Sequence, residues 1–126
     1  MTIKYRTRLT KSDYEFDFEA INNGWRIYIL DQPSYRGRDE SALATHRIFD
    51  SGRGRRYICW TSPIITIGQA KTIAANWAES TDRYIASGNS KSAFAQPIFT
   101  DFNENPGAHH AFERLAGFSS TPPPTR

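Results

Sequence analysis

A single cysteine, Cys59, stands in a chain of 126 residues. No internal disulfide can close on it and no thiolate metal cluster can form, so a reducing, cytoplasmic setting is expected. No run of about 18 apolar residues occurs, which leaves no helix to cross a membrane. The opening Met1-Thr2-Ile3-Lys4-Tyr5-Arg6 carries charges where a leader would need apolar residues, so no signal peptide is expected. A Gly-rich phosphate loop, Gly-x-Ser-x-Gly and His-x-x-x-His are all missing. His109 and His110 are adjacent, so on a helix they would point about 100° apart and could not chelate one ion. Cys59 has no neighbouring histidine in sequence, and His46 and Asp50 would lie on different faces with a turn between them. These absences argue against an enzyme and against a metal or cofactor.

What the chain does have is aromatic side chains, 13% of its residues, and an uneven spread of charge around a net of +3. Lys4, Arg6, Arg8 and Lys11 come without an acid, and then Asp13, Glu15, Asp17 and Glu19 without a base. Residues 21–60 hold seven arginines against Asp31, Asp39, Glu40 and Asp50, while the remainder balances. Arginine outnumbers lysine twelve to four, which suits bidentate contact with anions and equally suits a GC-rich genome.

Strict alternation of apolar and acidic residues from Asp13 to Ile21 predicts a half-buried strand, with Tyr14, Phe16, Phe18 and Ala20 inward. Asn22-Asn23-Gly24 then predicts a hairpin. With Asn23-Gly24 as a type I′ turn, Phe18 would face Ile29, and a second strand would run from Trp25 to Leu30. Asp31–Ser41 reads as a loop by its Pro33 and Gly37. A third strand is expected from Leu43 to Phe49 and a fourth from Arg56 to Thr61, rich in β-formers. Thr66-Ile67-Gly68-Gln69 is a capping box, and Ala70, Ile73, Ala74, Trp77, Tyr84 and Ile85 recur at helical spacing until Gly88. The expectation is therefore an α+β fold in the order ββββα. Four antiparallel strands would form a meander with one long helix across one face. Residues 1–88 would be the compact domain, and 89–118 an irregular, loosely packed extension with a short helix at 107–116. The Pro-rich tail, 119–126, would be disordered.

The arginines supply the binding candidates. Tyr35, Arg36 and Arg38 fall in the long loop, and Arg53, Arg55 and Arg56 in the next turn and strand. Together they suit a phosphate backbone, which attracts such groups through charge and counterion release. In a meander the two connections sit at opposite ends of the sheet, so they form one patch only if the loop folds back along it. The plain alternative is a pair of solvated loops. Arg26 and Tyr28, with either Ile58 and Trp60 or Tyr57 and Cys59, would mark the outer sheet face, a surface for stacked bases or, through an exposed Trp60, for a protein partner. Glu15, Asp17 and Glu19 share that face and would repel phosphate.

The segments Gly24-Trp25-Arg26-Ile27-Tyr28-Ile29, Gln32-Pro33-Ser34-Tyr35-Arg36-Gly37-Arg38, Thr45-His46-Arg47 and Tyr57-Ile58-Cys59-Trp60-Thr61-Ser62-Pro63, with Trp77-Ala78-Glu79, span residues 23–88. They resemble small uncharacterised proteins of bacterial phages, plasmids and other mobile elements. The resemblance implies no activity and no site residue. It implies the kinds of role such elements encode, namely an accessory binder of nucleic acid or nucleoprotein, a regulator, or an inhibitor of a host or defence factor. The exposed Trp60 face, read from the residues, equally suits a protein–protein interaction module or a homodimer.

Overall fold

A computed structural model describes residues 1–95 and, as backbone, the strand at 118–120. The elements run β1 (Thr2–Arg6), β2 (Asp13–Ile21), β3 (Gly24–Asp31), α1 (Ala42–Thr45), β4 (Arg47–Asp50), β5 (Arg55–Ile58), α2 (Ile67–Ser87), α3 (Ser90–Ala93) and β6 (Phe118–Ser120). The strands form one antiparallel sheet in the order β4-β5-β3-β2-β1-β6. The α+β class and the long helix are as expected, but the sheet is not a four-stranded ββββα meander. β1 lies outside β2, and the β4–β5 hairpin is turned so that β5, not β4, joins β3. The expected helix at 107–116 lies outside the described residues.

The strand expected over Leu43–Phe49 is half helix. Ser41 caps a single turn by accepting from the Ala44 N–H at 3.4 Å, and the turn closes at His46, whose φ of 55° is left-handed. Ala42-Leu43-Ala44 are good helix formers, so a local cap suffices to begin the turn. The fourth strand likewise stops at Ile58, short of Thr61.

The β2–β3 hairpin keeps the predicted faces but not the predicted register. Ile21 pairs with Gly24, so Asn22-Asn23 make the turn, and Phe18 faces Ile27 rather than Ile29. A shift of two residues leaves each side chain on its original side. Gly24 is needed for close approach. A Cβ there would sit 2.1 Å from the Ile64 carbonyl oxygen, which accepts from the Trp25 N–H at 2.7 Å.

Helix α2 is delimited as expected, by Thr66 accepting from the Gln69 N–H and by a left-handed Gly88. It lays Ala70, Ile73, Ala74 and Trp77 on Ile3, Tyr5, Tyr14, Phe16, Phe18 and Ile27 of the sheet. The helix is buried all round through its middle, however. Lys71, Thr72, Asn76 and Glu79, which lie off the stripe formed by Ala70, Ile73, Ala74 and Trp77, are each exposed by less than a tenth. Glu79 is retained there because it accepts from the Tyr5 hydroxyl at 2.5 Å and the Arg8 N–H at 3.1 Å. Asp82, one turn on, accepts from Tyr14 and Thr10, each at 2.5 Å. Burial and these carboxylates push both phenols above their ordinary pKa, so Tyr5 and Tyr14 stay protonated donors.

Candidate nucleic-acid interface

The long loop folds onto the C-terminal end of α2, away from the β4–β5 turn. The Tyr84 hydroxyl donates to the Asp39 carbonyl at 2.8 Å. Arg38 donates from Nε to the Ile85 carbonyl at 3.2 Å and from Nη2 to the Ala86 carbonyl at 3.3 Å. These carbonyls lack helical partners, so a guanidinium is a fitting cap for them. Gly88 makes room for it, since a Cβ there would lie 2.7 Å from Arg38 Nη1. Tyr35 is buried between Tyr84, at 6.0 Å between ring centroids, and the Arg47 guanidinium, 4.8 Å from its ring. It is a packing residue rather than a contact for a ligand. Burial lowers the pKa of Arg47, which is held by Thr45 Oγ1 and Gln32 Oε1 at 3.1 and 3.0 Å.

The six expected contact residues therefore separate. Arg36 and Arg38 share one cleft, Tyr35 is in the interior, Arg53 and Arg55 lie on the outer sheet face, and Arg56 sits on the helix side of β5 over the Phe49 ring, 5.4 Å away.

The outer face is closed by its own charges. Arg53 makes a bidentate pair with Glu19, and Arg55 donates to Asp17 at 3.1 Å. Both guanidinium groups lie 5.6 Å from the Tyr28 ring, and the Tyr28 hydroxyl donates to Asp50 at 2.7 Å. Tyr28 is only 2% exposed, so it cannot stack on a base. Arg26 lies 4.4 Å over Tyr57 and 3.6 Å from Asp50. Trp60 is off the sheet, beyond the end of β5, and 42% exposed. It forms a wall between a groove of about 430 Å³ that reaches His46, Cys59 and Trp77, and a cleft of about 230 Å³ that reaches Ile21, Ile48 and Tyr57.

This network gives a pH prediction. Burial pushes the Asp17 carboxyl up, but the Met1 ammonium and Arg55 outweigh it and hold the group below its ordinary value. The Tyr28 hydroxyl, against the opposing effect of burial, likewise holds Asp50 down, helped by the Arg53 and Gly52 N–H groups. Both carboxyls thus take up protons more readily in the unfolded chain, whose value is near 3.9. Their stabilisation is complete above that value and is lost as pH falls through the lower folded values. Urea midpoints should drop between about pH 5 and pH 3, and the drop should shrink in Asp50→Asn, which keeps an acceptor but no titration. An unchanged drop in that variant would remove Asp50 from the account.

At the far end of α2 the structure joins two arginine-bearing segments that are distant in sequence. The β1–β2 turn and the long loop line a cleft of about 340 Å³ formed by Thr10, Ser12, Pro33, Arg36, Arg38 and Asp82. A second cleft of about 380 Å³, lined by Arg8, Leu9, Thr10, Glu79 and Arg83, shares Thr10, Asp82 and Ala86 with it. Lys11, with a left-handed φ of 56°, lies in the same turn. No hydrogen bond or ion pair holds the side chains of Arg8, Lys11 or Arg36 among the described residues. The two acids in these clefts are engaged, Glu79 by Tyr5 and Asp82 by Tyr14 and Thr10. Asp39 turns back to the Ser41 N–H at 2.9 Å. Arg8, Lys11 and Arg36 are therefore exposed beside these clefts, while Glu79 is buried and Asp82 half-buried.

Sequence reading missed the part played by the β1–β2 turn. Its signal was the acid-free run from Lys4 to Lys11, which takes on meaning once Ser12 and Arg36 are placed together.

The chain matches no family model, and comparison with curated proteins and with solved structures found no similar protein.

Proposed function

We propose that the chain is a non-catalytic binding protein that holds a nucleic-acid phosphate backbone along the basic clefts at the C-terminal end of α2. Arg8, Lys11 and Arg36 are the principal contacts, with Arg38 beside them and the hydroxyls of Thr10 and Ser12 as donors. The observation that supports this reading is the meeting of the β1–β2 turn and the long loop at adjoining clefts, with Arg8, Lys11 and Arg36 exposed there and their side chains unclaimed by any hydrogen bond or ion pair among the described residues. From Glu79 to Ala86 the helix rises about 10 Å, the reach of about three phosphates at 3.4 Å per nucleotide of one strand. Guanidinium groups and hydroxyls are the usual partners of phosphate oxygens, and they fix position without reading sequence.

Salt titration of binding to a DNA duplex and to single-stranded DNA and RNA tests this. About three phosphate contacts imply a slope of log affinity on log salt near −3 for the duplex. Arg8→Ala with Arg36→Ala should reduce the slope by about two. Arg53→Ala with Arg55→Ala should leave it unchanged, because Glu19 and Asp17 already engage those groups. Equal losses in the two double variants, or no binding at low salt, would overturn the reading.

A further inference from the structure

The groove of about 430 Å³ walled by Trp60 takes no part in the phosphate reading. It lies where the chain leaves β5 against the middle of α2, and Ile58, Ile73, Trp77 and Phe94 make its apolar lining. No Asp, Glu, Lys or Arg is among the residues that line it. A cleft of this volume, mostly apolar with a few polar groups, has the form of a small-molecule site.

The polar groups are brought together by the backbone. The Cys59 N–H donates to the His46 carbonyl at 2.9 Å, which extends the β4–β5 ladder and sets these two residues side by side. His46 closes α1 with a left-handed φ of 55°, a task that glycine would do with less strain. Strain of this kind recurs where a side chain must be presented to a ligand. The Phe94 ring packs on the imidazole, 4.1 Å away between centroids and inclined by 30°. Burial lowers the His46 pKa, so the ring is neutral at pH 7 and offers one donor and one acceptor. Among the described residues no hydrogen bond or ion pair holds the side chains of His46, Cys59 or Thr61.

We infer that this groove binds a small, uncharged, planar heteroaromatic molecule, stacked on the Trp60 indole with its polar edge toward His46, Cys59 and Thr61. An ion would lose its hydration there with no opposite charge to meet it, so the ligand is neutral. The rings of Trp60, Trp77 and Phe94 favour a flat ligand, which gains dispersion and stacking against them. A purely aliphatic ligand would bury the imidazole and the Thr61 hydroxyl without partners, which is costly. The site is independent of the phosphate reading.

Calorimetric titration of the full chain tests it with adenine and quinazolin-4-one, two uncharged bicyclic probes, and with quinoline-4-carboxylate, a charged one. The first two should bind, and the third about tenfold more weakly or not at all. Cys59 is the single cysteine, so its alkylation by iodoacetamide reports on the groove, and the probes that bind should slow it. Trp60→Ala, at a position already 42% exposed, should weaken binding about tenfold through the loss of stacking. His46→Asn, which suits a left-handed φ, should weaken it about fivefold through the loss of the imidazole. Circular dichroism checks that both variants fold. Absence of binding, binding that leaves the alkylation rate unchanged, or undiminished binding in either folded variant would overturn the inference.

Discussion

Replacing Trp77 by alanine should lower the free energy of unfolding by about 3–5 kcal/mol, the range for removing a large buried aromatic. Trp77 is 4% exposed and meets two strand residues edge-on, Tyr14 at 5.9 Å and Phe16 at 6.0 Å between ring centroids. Its indole N–H also donates to the Thr45 carbonyl at 3.0 Å, tying α2 to the end of α1. Two effects are thus superposed, lost packing and a buried carbonyl without its donor. Trp77→Phe separates them, because it keeps much of the ring volume and loses only the donor, for about 1–3 kcal/mol. Urea denaturation with a constant slope measures both. A loss below about 1 kcal/mol for alanine would mean that the helix is held chiefly by other contacts, such as the Glu79 and Asp82 carboxylates.

Gly24→Ala is expected to cost about 2–4 kcal/mol although it adds one methyl group and empties no cavity. The new Cβ would lie 2.1 Å from the Ile64 oxygen and 2.9 Å from its carbon. Both are backbone atoms, which cannot rotate aside as a side chain can. The φ of 147° is itself unfavourable for any residue with a Cβ, a strain of about 1–3 kcal/mol. Relieving the contact would break the 2.7 Å bond from the Trp25 N–H to Ile64, worth about 1 kcal/mol more. Gly37→Ala is the control, since its φ of 84° carries strain but no atom lies within 4 Å of the added carbon. Equal losses at the two positions would show that strain alone, and not the approach of Ile64, makes glycine necessary at 24.

Gly24 also shows where local reading ends. Asn-Gly in a hairpin is ordinarily a statement about the turn, and on that rule alone the turn falls at Asn23-Gly24. The use made of this glycine comes from Ile64, forty residues away, and no local pattern reports it. Tyr35 and Arg38 repeat the point. In sequence they look like surface residues of a charged loop. In the fold one is interior against Tyr84 and the other caps the helix that ends at Gly88.

The strands from Asp13 to Asp31, their inward faces and the whole span of α2 were determined by the chain itself, because alternation, helical spacing and end caps act over a few residues. The position of β1, the turning over of the β4–β5 hairpin and the fate of each arginine were decided only by tertiary structure. A guanidinium group is long, flexible and indifferent to its neighbours in sequence, so which carboxylate, carbonyl or open cleft it meets depends on chain segments brought together from afar. Glu19 and Asp17 claimed Arg53 and Arg55, and the end of α2 claimed Arg38, while Arg8 and Arg36 were left facing solvent on adjoining clefts.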